Sequence, residues 1–294
     1  MRVATWNVNS LAARVPRVVP WLTERRPDVV CLQETKLDDA GFDAAIGAQL
    51  DELGYRWAHH GQGQWNGVAL LSRVGLDDVQ LAFPQTPGYP DPAGTPEARA
   101  VSAVCGGVRV YSLYVPNGRE VGTDHYEYKL AWLAALRDAV VGAGPASALV
   151  CGDINIAPAD DDVYDPAAYV GHTHVTDAER AALGAVVADA GLVDVIRRRW
   201  PDERVFSYWD YRAGMFHKDL GMRIDLILAG ADVAPRVAAA FVDRQARKGS
   251  KPSDHAPVIV DLDDAPDGDI GPVVPPPSNP AKRSGAGKPP QARR

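Results

Sequence analysis

A chain of 294 residues with 46% hydrophobic and 23% charged side chains is long enough to bury a sizeable core, and its composition excludes a disordered or fibrous class for its bulk. No apolar run approaches the roughly 20 residues that span a bilayer, and Met1 to Trp6 leads straight into a strand-like segment, which argues against a signal peptide. The formal net charge of −7 is the wrong sign for holding nucleic acid by bulk attraction. Carboxylates gathered round a divalent cation count as negative, however, while the loaded centre presents positive charge to phosphate. Cys31, Cys105 and Cys151 are odd in number and too dispersed for a zinc pattern, and read as buried free thiols in a reducing cytoplasm.

Arg2 to Val8 is the first expected strand, and it runs into Asn7 and Asn9. Val15 to Arg25 follows as a helix with Val15, Val18, Val19 and Leu22 on one face and Pro27 closing it. Asp28 to Gln33 is the next strand, leading to Glu34 and Thr35. Asn66 to Ser72, Val101 to Val104 and Val108 to Val115 read as further strands, short, rich in branched residues and bounded by Gly, Pro, Asp or Asn. His125 to Val141 places Tyr126, Leu130, Leu133, Leu136 and Val140 near a 3.6-residue period, with Gly142 as its stop. Ala146 to Gly152 is a strand that ends at Asp153-Ile154-Asn155. Thr176-Asp177-Ala178-Glu179 is a capping box for a helix from Asp177 to Ala190. Arg223 to Ala229, Val237 to Val242 and Ala256 to Leu262 are the last strands, and Ser253-Asp254-His255 opens the final one. From Ala265 the apolar periodicity is lost, and Pro275-Pro276-Pro277 and Pro289-Pro290 mark a tail that begins acidic and finishes basic. The expected organisation is one α/β or α+β domain with large mixed sheets over 1–262, and a Pro-rich disordered tail over 263–294.

Four apolar runs therefore deliver amides, carboxylates and an imidazole to strand ends, where a rigid scaffold presents catalytic groups. Each residue alone has a turn or surface explanation; their recurrence does not. Glu34 is a hard oxygen ligand of the kind Mg²⁺ prefers, and His255 in its polar turn takes up a proton near neutral pH. His172-Thr173-His174 has weak spacing for a metal. Asp225 stands inside the apolar run Arg223 to Leu228, where a carboxylate needs a partner. His255 is the functional candidate, and Arg223, at i, i+2 on the same face, the structural one. Phe206 to Arg212 interleaves aromatics with polar and basic side chains, which suits either core packing or stacking on an unpaired sugar or base.

Taken in order, Trp6-Asn7-Val8-Asn9, Leu32-Gln33-Glu34-Thr35-Lys36, Tyr114-Val115-Pro116-Asn117-Gly118, Gly152-Asp153-Ile154-Asn155, Phe206 to Arg212, Arg223-Ile224-Asp225-Leu226 and Lys251 to Pro257 resemble one known family. It is the exonuclease III family of DNA-repair nucleases, within the endonuclease/exonuclease/phosphatase superfamily. The resemblance spans residues 1 to 262 and implies a four-layer α/β sandwich, two mixed β-sheets packed face to face and flanked by helices. It further implies Mg²⁺-dependent hydrolysis, with Mn²⁺ as a substitute, of phosphodiesters 5′ to abasic sites in duplex DNA. The family's 3′ to 5′ exonuclease and 3′-phosphatase activities on blocked 3′ ends come with it. By residue match, Glu34 holds the metal, with Asn7, Asp153, Asn155, Asp254 and His255 around it. Asp153 and Asn155 position or deprotonate the attacking water, and His255, oriented by Asp225, is a base or a phosphate-polarising group. Tyr114 and Asn117 contact the scissile phosphate, while Tyr208, Trp209, Met222 and Ile224 shape a pocket for the extruded deoxyribose. The implied form is a cytoplasmic monomer without a membrane partner. Two other readings stand beside it: a superfamily phosphatase acting on inositol phosphates or lipid headgroups, which would keep Asn7, Glu34, Asp153, Asn155 and Asp254-His255, and a non-catalytic DNA-binding or scaffold relative that has lost its site. The Tyr114 to Asn117 segment and the aromatic run favour DNA, and the complete polar set favours catalysis.

Overall fold

Short runs of Val, Leu and Ile with both faces apolar must be covered on both sides, and here they stack as two sheets between layers of helix. The computed structural model describes residues 1–274, and the expectations for Pro275 to Arg294 lie outside the described residues. Its strands are β1 Arg2–Asn7, β2 Val29–Gln33, β3 Arg56–His60, β4 Val68–Ser72, β5 Asp77–Leu81, β6 Ala100–Cys105, β7 Val108–Tyr114, β8 Ala148–Asp153, β9 Val193–Asp194, β10 Asp225–Ala229, β11 Val237–Asp243, β12 Val258–Leu262 and β13 Val273–Val274. One sheet has the order β13-β11-β12-β1-β2-β4-β3, the other β5-β6-β7-β8-β10-β9.

Side-chain alternation assigns the layers. Val3, Val29, Cys31, Val68 and Leu70 of the first sheet meet Val101, Ala103, Val110, Leu149, Cys151 and Ile227 of the second in one buried cluster. Ala4, Trp6, Val30 and Leu32 point the other way, onto Val18, Trp21 and Leu22 of the helix Leu11–Arg25 and onto Phe42, Ile46 and Leu50. On the outer face of the second sheet, Leu113, Val150 and Leu226 meet Trp132, Leu133, Leu136 and Val140 of the helix Asp124–Gly142 and Leu183 and Val186 of the helix Asp177–Asp189. Each fully buried aliphatic side chain of this kind contributes roughly 1.5–3 kcal/mol, so the outer layers hold the sheets as firmly as the sheets hold each other. The result is the four-layer sandwich of two mixed sheets.

The arrangement matters because each sheet centres on a parallel pair with antiparallel neighbours. β1 runs parallel to β2 with Asn7 opposite Gln33, and β7 runs parallel to β8 with Tyr114 opposite Asp153. β12 and β10 run against them, pairing Val258 with Thr5 and Asp225 with Asp153. The last residues of four strands and the first of two others therefore share one edge of the sandwich. Gly152 lets β8 approach that edge, because a Cβ there would lie 2.0 Å from the Leu113 carbonyl oxygen.

Three departures from the sequence reading have physical causes. The first helix begins at Leu11 rather than Val15 and runs through Pro16 and Pro20. Both rings are exposed, so the carbonyls they strip of partners face water instead of the core. β3 and β5 were not expected: β5 is exposed throughout and β3 mostly half-buried, so neither has an apolar period. Residues 263–274, expected in the tail, fold back onto the body. There β13 pairs in parallel with β11, the Asp267 carboxylate lies 2.8 Å from Arg2, and that of Asp263 2.8 Å from Arg236.

Candidate active site

Glu34 is placed by the end of β2 and a turn that only contacts on both sides hold. Its φ is 52°, and Asn9 and Asn155 are also left-handed at 44° and 54°. Such backbone costs of order 1 kcal/mol or more per residue and persists where surroundings over-determine it. The Thr35 N–H donates to the Gly67 carbonyl, and its Oγ1 lies 2.8 Å from His59 Nε2, whose Nδ1 is 2.7 Å from Asp39. The Glu34 carboxylate accepts from Asn7 Nδ2 at 2.8 Å and from the Lys36 ammonium at 2.7 Å. Burial pushes this carboxyl up, but the Lys36 charge and the two hydrogen bonds outweigh it and hold it below the usual carboxylate range.

Asn7 spans the two sheets' contributions. Its Nδ2 also donates to Asp153 Oδ2 at 2.9 Å, while its Oδ1 accepts the Asn9 N–H at 2.9 Å. Both contacts demand the same amide orientation, so Asn7 turns N–H toward the carboxylates and acts as a clamp between Glu34 and Asp153 rather than as an oxygen ligand. Asp254, expected beside the metal, accepts from Asn9 Nδ2 at 3.0 Å, and Lys36 donates to Asn9 Oδ1 at 2.7 Å.

The predicted pairing of His255 with Asp225 is present. Nδ1 lies 2.8 Å from Asp225 Oδ2, which also accepts from Ser207 Oγ at 2.6 Å, and Nε2 lies 3.9 Å from Asp153 Oδ2. Arg223 takes no part: it precedes β10 and turns the other way, onto Asp162 and Asp194. Burial lowers the imidazole, but the charges of Asp225 and Asp153 overcome it and raise it to about 10. Burial lifts the Asp153 carboxyl to about 7, against the pull of His255 and the hydrogen bond from Asn7. Asp153, Asp225 and His255 are the one set among the described residues whose His, Cys, Asp or Glu ligand atoms all lie within 4.8 Å of one another. With both ring nitrogens facing carboxylates, that set can hand on protons, and by the spacing of its ligand atoms it could also hold a metal ion. Glu34, held ionised and already carrying a cation, fits a hard divalent ion.

Asn155 works partly through its main chain: its N–H donates to Asp153 Oδ1 at 3.0 Å, and its Nδ2 donates to the Val115 carbonyl at 2.9 Å. Asn117 is exposed, with Nδ2 3.5 Å from Asn155 Oδ1 and 3.3 Å from His174 Nε2. The Tyr114 hydroxyl faces Glu34, and burial and that charge push it well above the usual range. Arg99 covers its ring at 4.8 Å. Tyr208 lies 4.9 Å from the His255 ring and packs against a buried cluster of Ala157, Val163, Met222 and Ile224. Trp209 does not join them. It is 1% exposed, stacks edge-on against Phe216 at 5.3 Å and donates to Asp219, so this predicted pocket residue belongs to the core.

The sequence reading missed Lys36, Ser207, Ser253 and the buried Lys129. Ser207 and Ser253 carry no sequence signal, being ordinary hydroxyls until the fold sets them on Asp225 and on the Asn7 carbonyl. Lys129 carried one: it shares the apolar stripe of Leu133, Leu136 and Val140, where a cation is out of place.

Residues 4–255 match the Endonuclease/Exonuclease/phosphatase family. Exodeoxyribonuclease III of Haemophilus influenzae is 30% identical, over 88% of this chain and 98% of its own. Among solved structures, an AP endonuclease from Archaeoglobus fulgidus superposes with a TM-score of 0.82 at 34% identity, covering 90% of this chain and 99% of that one. The 3′ phosphatase NExo from Neisseria, bound to a product DNA hairpin, gives 0.83 at 36% identity with the same coverage. Two mixed sheets that converge a clamped glutamate, an Asp-His pair and a second aspartate, together with family similarity over nearly the whole described chain, make this protein a phosphodiester hydrolase of the exonuclease III and AP endonuclease family.

Proposed function

We propose that the chain is a Mg²⁺-dependent DNA-repair nuclease that cuts duplex DNA 5′ to abasic sites and clears blocked 3′ ends, 3′-phosphates included. The observation that carries this reading is the meeting, at one sheet edge, of ionised Glu34, a near-neutral Asp153 and a cationic His255 beside the apolar cluster of Met222, Ile224 and Tyr208. Glu34, with Asp254 nearby, would hold Mg²⁺, which offsets charge on the phosphate as it is attacked. Asp153 accepts the proton of the attacking water, since a base works best with a pKa near the operating pH. His255 keeps its own proton up to about 10 and so faces the phosphate as a cation instead of competing for that proton. The Tyr114 hydroxyl and Asn117 Nδ2 would turn to donate to phosphate oxygens when substrate binds. An abasic sugar has no base to unstack, so a small apolar pocket selects it without reading sequence.

The test uses the purified full chain, a duplex with one abasic analogue and a primer ending in a 3′-phosphate. Expected are a nick immediately 5′ to the lesion and release of phosphate, both abolished by EDTA and restored by Mg²⁺. Turnover of an inositol phosphate with both DNA substrates untouched would replace this reading with the phosphatase one.

The His255 assignment makes a separate prediction through Asp225→Asn. A histidine whose folded pKa is raised contributes stability that is complete below about 6.5 and is lost as pH rises through about 10. Removing the Asp225 charge lowers that pKa, so the alkaline fall in kcat moves to lower pH, and the variant's stability deficit disappears above pH 10. Superimposable pH-rate profiles for variant and wild type would remove Asp225 from this role.

A further inference from the structure

We propose that Lys129 is a positioning residue for the phosphate-binding end of the site, acting through the main-chain carbonyls of Asn117 and Asn155; the inference rests on the nuclease reading above. β7 and β8 are bonded as a parallel pair only as far as Tyr114 and Asp153, with one further bond from the Val115 N–H to the Asp153 carbonyl. Beyond that point the two loops carrying Asn117 and Asn155 have no sheet to set their separation. The Lys129 ammonium does so instead. It donates to the Asn155 carbonyl at 2.7 Å and the Asn117 carbonyl at 3.3 Å, and reaches Thr173 Oγ1 at 3.4 Å and Glu179 Oε1 at 2.5 Å.

Lys129 and Glu179 are both fully buried. A stripe position that only needed filling would take Leu or Met, and replacing a buried ion pair by apolar groups is often neutral or stabilising. The ammonium therefore has a use beyond packing, and its geometry points at the two loops. Glu179 binds the third loop as well: Oε1 accepts from Thr173 Oγ1 at 2.6 Å and from the His174 N–H at 2.9 Å, while Oε2 completes the Thr176 capping box. His174 closes the frame, with Nδ1 2.5 Å from the Asn155 carbonyl and Nε2 3.3 Å from Asn117 Nδ2. Because Asn117 Nδ2 is a donor, Nε2 accepts and Nδ1 carries the hydrogen. Burial and the Lys129 charge hold this imidazole down at about 4, so it stays neutral and able to accept. Gly118 keeps the approach open, since a Cβ there would lie 3.0 Å from Lys129 Cδ.

The experiment compares Lys129→Met with Lys129→Met/Glu179→Gln on the abasic duplex with Mg²⁺, reading kcat, KM and melting temperature. The single variant strands a buried carboxylate and is expected to lose stability as well as activity. The double variant removes both charges and, with the Gln carbonyl in the place of Oε2, keeps the capping box, but the Gln amide nitrogen then faces the His174 N–H, so its melting temperature recovers only in part. Its kcat stays about 10–100-fold low with KM within about threefold, as loosely placed catalytic groups dictate. Recovery of kcat to within about twofold in the double variant would overturn the proposal and leave the pair a structural one, as would a loss confined to KM. If the wild type leaves the abasic duplex uncut, the nuclease reading has failed instead, and the same comparison is made on whichever phosphoester it cleaves.

Discussion

Asp153→Asn is expected to lower kcat on the abasic duplex by about 10³-fold while raising the melting temperature at pH 8. The first effect follows from losing the proposed base, a contribution typically worth 10²–10⁴-fold. The second follows from linkage. Asp153 is 1% exposed and its carboxyl is raised from 3.8 to about 7, so its ionised form destabilises the fold. That cost is absent below about pH 4 and complete above about pH 7, and the neutral amide escapes it. The stability gain should therefore shrink as pH falls from 7 to 4. A variant with wild-type kcat would take the base role from Asp153, and a lower melting temperature at pH 8 would show that its charge is well accommodated.

Arg223→Met is expected to cost about 3 kcal/mol in urea unfolding, the low end for breaking a buried ion pair. The guanidinium is 1% exposed and donates to Asp162 Oδ1 and Oδ2 at 2.7 and 3.0 Å and to Asp194 at 2.6 Å. Arg197 also reaches Asp162 at 2.6 Å and softens the loss. Arg223→Met/Asp162→Leu should recover part of it, because no uncompensated carboxylate is then left at that position. A cost below about 1 kcal/mol would mean that Arg197 alone satisfies Asp162. Met222 and Ile224, on either side of Arg223, belong to the apolar cluster beside Tyr208 that is proposed to receive the sugar, so the same variant is expected to loosen that cluster and raise KM.

Asp225 and Arg223 show where sequence reasoning holds and where it slips. The partner of Asp225 was named correctly, because a carboxylate inside an apolar run must be paired and a histidine in a polar turn was available. Arg223, two residues earlier, looked like a same-face neighbour, but i, i+2 geometry applies only within a strand, and β10 begins at Asp225. Residue match alone brings Trp209 into the pocket with Tyr208, and adjacent aromatics in an irregular segment give no period from which to tell the core side from the site side. Residue match implies a place for Asn7 at the metal, while the direction of its amide depends on what lies on either side of it.

The sequence by itself determined the components: strands with two buried faces, the capped helix from Asp177, and polar residues set at strand ends, because these follow from local periodicity and from the cost of burying polar groups. Tertiary structure alone decided what those residues do. Only the packing of two sheets puts Asn7 between Glu34 and Asp153, and only the shared interior of three loops surrounds the Lys129 ammonium with oxygens. The shifts of Asp153 to about 7 and His255 to about 10 arise from burial and from charges far apart in the chain, fields that no linear pattern encodes.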